Sequence, residues 1–136
     1  MCNITPGATF IFSLAFIMLM NLSNIKKMAS QARADFEARR IDEAELKQLY
    51  QQYNPLEDIY SFMKSAREMF PNLNCGLATV YLQRLLLDGK IINGKYKDNN
   101  HTFLLLEESV VVDITSDQYG GPSVYVGSLQ SPWSLE

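Results

Sequence analysis

The spacing of apolar and polar positions changes character three times along the chain. From Ala8 to Leu22 the residues are almost all apolar, and no charged side chain occurs before Lys26. From Ala29 to Gln51 the chain is rich in Ala, Glu, Gln, Lys, Arg and Leu and has no Gly or Pro, which predicts a helix. Phe36, Ile41, Leu46 and Tyr50 give that helix an irregular apolar face, so it is expected to be only partly buried. The mixed charges of Asp42 to Lys47 read as a solvated face. Asn54-Pro55 breaks the helix. Leu56 to Phe70 carries Ile59, Phe62, Met63, Ala66, Met69 and Phe70 at spacings of three and four, a second helix that Pro71 ends. Asn74 suits the N-cap of a third helix starting at Cys75. From Cys75 to Leu87 apolar residues cover most of the cylinder, so this helix is expected to be central and buried, with Gly89 as its C-terminal cap.

After Gly89 the pattern becomes that of strands. Lys90 to Tyr96, His101 to Glu107 and Val110 to Ile114 read as strands, with a turn at Lys97-Asp98-Asn99-Asn100. Gly120-Gly121-Pro122 predicts a sharp turn and Ser123 to Val126 a last short strand. Trp133 follows as a packing lid. Helices followed by a small antiparallel sheet give an α+β fold, with the cysteine-bearing helix packed on the sheet.

Three side chains in this frame carry chemistry. Cys75 sits at the first turn of the buried helix, His101 is the sole histidine, and Asp113 lies within a valine-rich strand. A free thiol has a pKa of about 8.5, and attack on a carbonyl needs the thiolate. A helix N-terminus presents about half a positive charge, which favours an anion. A neighbouring imidazole can take the thiol proton, and a carboxylate can fix that imidazole's tautomer and orientation. Each residue also has a plain structural reading: a buried small hydrophobe, a surface turn histidine, a strand residue. Asp113 resists it most, because a carboxylate among valines needs a partner.

Strand parity makes the arrangement testable. A three-residue link, Glu107 to Ser109, pairs Leu106 with Val110 and puts His101 and Asp113 on one face of the sheet. His101 then lies opposite Thr115 and Asp113 opposite Phe103. A two-residue turn at Glu108-Ser109 puts the pair on opposite faces unless a bulge intervenes. The chemistry therefore predicts the odd-length link.

Composition narrows the function classes. The chain has 136 residues, enough for one domain with a modest core. Fifteen acidic against twelve basic residues give a net charge of −3 and no basic stripe, so nucleic acid is not an expected partner. Two cysteines, Cys2 and Cys75, do not make a disulfide framework. One histidine and no Cys-x-x-Cys leave a metal site without ligands, and no Gly-rich phosphate loop occurs; no cofactor is expected.

Residues 1–27 form a separate apolar segment ahead of a domain spanning 28–136. The run from 8 to 22 is shorter than the about 20 residues of a spanning helix. It lacks the basic flank of a signal peptide, since Lys26-Lys27 follows it. Three readings fit: a weak signal or anchor held by the lysines, an apolar helix packed on the domain or a partner, or an upstream extension with the working protein starting near Met28. A non-catalytic appendage is the favoured one. The corresponding localisation is cytoplasmic, with membrane association through 8–22 as the variant.

Asn-Cys-Gly-Leu-Ala-Thr at 74–79, His-Thr-Phe-Leu-Leu-Leu at 101–106 and Val-Val-Val-Asp-Ile-Thr-Ser-Asp-Gln-Tyr at 110–119 resemble the transglutaminase-like branch of the papain-like cysteine enzymes. The resemblance covers about Leu73 to Val126. The interval from Cys75 to His101 is shorter than that family's, and Phe103 stands where tryptophan is common. The resemblance implies a papain/transglutaminase-like core with Cys75 as nucleophile, His101 as base and Asp113 as orienting acid. It implies an oxyanion site made by the Cys75 backbone N–H and one side-chain donor, for which Asn72, Asn74 and Gln118 are candidates. The function it implies is a hydrolase or acyltransferase on an amide or acyl bond of a peptide or protein substrate: peptidase, amidase, glutamine deamidase or transglutaminase-type. Two other classes fit the sequence: an inactive relative that binds peptides or a partner, and a membrane-associated accessory protein organised by the N-terminal run.

Overall fold

The computed structural model describes residues 22–136. Four helices precede a five-stranded antiparallel sheet: α1 (Leu22–Glu37), α2 (Glu43–Tyr53), α3 (Ile59–Met69), α4 (Cys75–Leu86), β1 (Lys90–Tyr96), β2 (Asn99–Leu106), β3 (Val110–Asp113), β4 (Tyr125–Ser128) and β5 (Trp133–Ser134). A 3₁₀ turn, Ser116–Tyr119, follows β3. The spatial order is β4-β3-β2-β1-β5. The fold is α+β, as the change of period predicts. Among the described residues no helix is long and apolar enough to cross a membrane. The run from Ala8 lies outside the described residues except for Leu22. The expected division between residues 27 and 28 falls inside α1, where Ile25 and Ala29 share one core.

The helix expected over 29–51 is two helices. The chain leaves α1 through Arg39, whose φ is 55°, and re-enters a helix after Asp42. The Asp42 carboxylate accepts from the Ala44 N–H, and Glu43 and Glu45 occupy the first turn of α2. Those acids complement the N-terminal end of the helix dipole. The charged residues Asp42, Glu43 and Glu45 are exposed, as a solvated face predicts, and they also mark a helix start. At the far end of α4 the cap differs as well. Leu87 takes the left-handed conformation, at φ 54°, and Gly89 turns the chain two residues later, at φ 101°.

Alternation along the strands sorts side chains to two faces. Leu104, Leu106, Val110, Val112 and Ile114 face the helices and join Leu77, Val80 and Leu82 of α4 in the main core. Phe103, Leu105 and Val111 face the other way, with Tyr96 and Trp133, in a smaller aromatic cluster. The last strand is therefore not only the one expected near Val126, found at Tyr125–Ser128. A second short strand carries Trp133 to the opposite edge, pairing Tyr96 with Trp133. Gly94 permits that approach: a Cβ there would lie 2.2 Å from the Ser134 carbonyl oxygen.

Leu106 pairs with Val110, so the link is the odd-length one. The β2–β3 ladder ends at Leu104 with Val112. The further pairings expected, His101 with Thr115 and Asp113 with Phe103, are not part of it. Below Leu104 the two strands separate, and α4 points its first turn at that gap.

Candidate active site

Cys75 opens α4 with its side chain half-buried. The Asn74 side chain does not cap this helix. Its amide nitrogen donates instead to the Ala66 carbonyl in α3 and to the Asn72 carbonyl, each at 2.8 Å. The first intrahelical bond here runs from the Ala78 N–H to the Asn74 carbonyl. The end of the helix dipole therefore lies open beside the sulfur.

The gap between β2 and β3 receives α4 through Thr102. The Thr79 hydroxyl donates to the Cys75 carbonyl at 2.7 Å and reaches the Thr102 carbonyl at 3.3 Å. The Thr102 backbone also lies close enough to the Cys75 sulfur to help lower its pKa. A strand edge that β3 leaves unpaired thus meets the first turn of α4. Neither threonine has a signal in the sequence beyond its place in the quoted motifs.

His101 and Asp113 meet within the sheet. Nε2 of His101 lies 2.6 Å from Oδ2 of Asp113, and the two side chains are 0% and 1% exposed. Oδ2 also accepts the Trp133 indole N–H at 2.8 Å. Oδ1 accepts the Thr115 backbone N–H at 2.9 Å. A buried carboxylate is costly unless its lone pairs are filled, and here both oxygens are occupied. Trp133 is more than the packing lid read from the sequence: its N–H belongs to the carboxylate.

With Nε2 committed to Asp113, Nδ1 of His101 is the free ring nitrogen, buried and without a conventional hydrogen-bond partner. The Cys75 thiol is close enough to His101 for each to shift the other. Burial pushes the Cys75 thiol up, while His101 and the Thr102 backbone pull it down, and the net value lies below the ordinary one. Burial pushes His101 down, but Asp113 and then Cys75 raise it to about 9. Near neutral pH both directions favour a thiolate–imidazolium pair.

Aromatic rings fix the imidazole. Tyr96 and Tyr119 stand edge-on to it at 6.1 and 5.5 Å, and Phe103 lies 6.2 Å away. The Tyr119 hydroxyl donates to the Asn100 carbonyl at 3.0 Å.

A second buried charged group supports the turn after Asp113. Arg33 of α1 donates to both carboxylate oxygens of Asp117, at 2.7 and 2.8 Å, and to the Ile114 carbonyl at 2.9 Å. This holds the segment that presents the Thr115 N–H to Asp113. Sequence reasoning misses Arg33, because nothing local distinguishes it from the other basic residues of its helix.

The three oxyanion candidates separate. Both amide hydrogens of Asn74 are used by backbone carbonyls, so it is not the donor. Gln118 donates to the Thr115 carbonyl at 3.1 Å, within its own turn. Asn72 is exposed. None of the three is aimed at Cys75 by a contact.

Compared with protein-family models, with curated proteins and with solved structures, the chain has no match.

Proposed function

We propose that the protein is a thiol-dependent hydrolase or acyltransferase that acts on an amide or acyl bond of a peptide or protein through a Cys75 thioester. Its core would be a papain/transglutaminase-like one. The reading rests on His101, whose Nε2 is fixed by Asp113 while Nδ1 is left unpartnered beside the thiol. A histidine serving only as core would have both nitrogens satisfied.

In the first step the thiolate adds to the carbonyl carbon and the π electrons move to oxygen. When the tetrahedral species collapses, the leaving amine takes the proton from Nδ1 and the acyl group stays on sulfur. Neutral His101 then removes a proton from water or from an acceptor amine, which attacks the thioester and releases the thiolate. Water gives hydrolysis or deamidation; an amine gives acyl transfer. A reducing, cytoplasmic setting suits this chemistry, since Cys75 must stay a free thiol.

Intact-mass analysis tests it directly. The protein is exposed to glutamine-containing peptides and to p-nitrophenyl acetate, in parallel with Cys75→Ala. A mass gain on Cys75, reversed by hydroxylamine and missing from the variant, is the expected result. Absence of any Cys75-dependent adduct, together with a thiol that iodoacetamide labels only at high pH, would instead leave a binding module without chemistry.

A further inference from the structure

The site as described has one oxyanion donor, the Cys75 backbone N–H, and no side chain to share the load. Two tyrosines flank the sulfur closely enough for its charge to raise their hydroxyl pKa, after burial has already done so: Tyr119 and Tyr50. Their protons are placed differently. The Tyr119 proton is spent on the Asn100 carbonyl. The Tyr50 oxygen accepts the Asn54 amide at 3.2 Å, and among the described residues its O–H donates to nothing.

Tyr50 is also held rigidly. It is 7% exposed, stacked on Phe62 at 4.9 Å and met edge-on by Tyr53 at 5.8 Å. Its ring passes directly over the residue after Cys75. A Cβ on Gly76 would lie 3.0 Å from Cε1 and 3.5 Å from the hydroxyl oxygen of Tyr50. A glycine at 76 thus lets a phenol approach the first turn of α4, where the unused N–H groups are.

We propose that the Tyr50 O–H is the second hydrogen-bond donor to the oxyanion formed when the Cys75 thiolate adds to a carbonyl. The inference rests on the thioester chemistry proposed above. The oxyanion receives one hydrogen bond from the Cys75 N–H and one from Tyr50, and the phenol keeps its proton throughout. On collapse the electron pair returns to the carbonyl and the leaving group departs. Burial and the neighbouring thiolate keep the phenol protonated, which a donor at this place requires. Asn54 fills one lone pair of the hydroxyl oxygen and so directs the O–H away from itself.

The test compares two reactions of the same sulfur. Acylation by p-nitrophenyl acetate passes through an oxyanion, whereas alkylation by iodoacetamide does not. Tyr50→Phe keeps the ring and its stacking. The expected result is an acylation rate lower by about 100-fold, with the alkylation rate and its pH profile unchanged. An acylation rate equal to wild type would overturn the proposal. Equal losses in both reactions would also overturn it, because they mark a structural role. If wild type and Cys75→Ala hydrolyse the ester alike, the thioester reading itself has failed, and that outcome is distinct from a silent Tyr50→Phe.

Discussion

Among the described residues two charge pairs with a buried member stand side by side, Arg33–Asp117 and His101–Asp113, and they are built for opposite ends. Arg33 and Asp117 make a two-pronged pair around a guanidinium that stays protonated. Arg33 is 10% exposed and Asp117 27%. His101 and Asp113 are shut off almost completely, yet the imidazole can give up its proton near pH 9. The first pair can only hold: it fastens α1 to the turn that presents Thr115. The second can hold or transfer, because one of its members titrates within reach of a thiol. A fixed charge supports the element beside the movable one, so structure and chemistry are assigned to different residues of one short segment, 113–117.

The sharpest way to break this contrast is Asp113→Asn. An amide can present the wrong hydrogen-bond polarity to Nε2, so the imidazole loses both its tautomer and its elevated pKa. Thioester formation should fall by a factor of order 10⁴, and the pH for half-maximal Cys75 alkylation should rise towards that of an ordinary thiol. If alkylation keeps its wild-type profile, Asp113 does not govern the pair. Arg33→Met should do the reverse. Urea unfolding should show a loss of about 3 kcal/mol, the low end for breaking a buried pair, because Asp117 is partly solvated. The alkylation profile of the folded protein should stay in place. Trp133→Phe keeps the stack on Tyr125, whose ring lies 3.9 Å away, but removes the indole N–H from Asp113. A hydrogen bond to a charged group contributes about 2 kcal/mol, and the same denaturation measures that loss.

The smallest effect is a titration. One histidine makes the imidazole signal unambiguous by NMR. Wild-type His101 should titrate near pH 9, and Cys75→Ser should lower that value, since Cys75 is one of the groups that raise it. The sign for stability follows. His101 binds its proton more tightly folded than unfolded, so its contribution is complete below about pH 6.5 and fades as pH rises through about 9. An unchanged value in Cys75→Ser would show that the thiol does not help raise the imidazole pKa.

What could be read in advance follows from how local the signal is. Strand parity made the shared face of His101 and Asp113 depend on one link length, the chemistry required the odd-length link, and the Leu106–Val110 pair has it. The place of the cysteine at a helix start was legible for a similar reason, since an apolar run starting at Cys75 leaves its first turn at an end, although the side chain is half-buried rather than exposed. The break after Glu37 was not legible as such: it has no Gly or Pro, and Arg39 adopts its left-handed turn without a side chain that favours it. Asp42 with Glu43 and Glu45 was the available sign of a new helix start. Asn74 misled because its residue type favours capping, whereas the Ala66 carbonyl competes for its amide. Trp133, Arg33 and Tyr50 reach the site across 20 or more positions of chain, from elements whose own periodicity says only that they are buried.

Trp133 is the sole tryptophan, and its indole N–H ends on the carboxylate that anchors the imidazole. The chain therefore carries an intrinsic fluorophore hydrogen-bonded to the His101–Asp113 pair. Any event that changes the charge on His101 alters the electric field across that ring, so under the proposed thioester chemistry emission colour would follow acylation in real time with no attached dye.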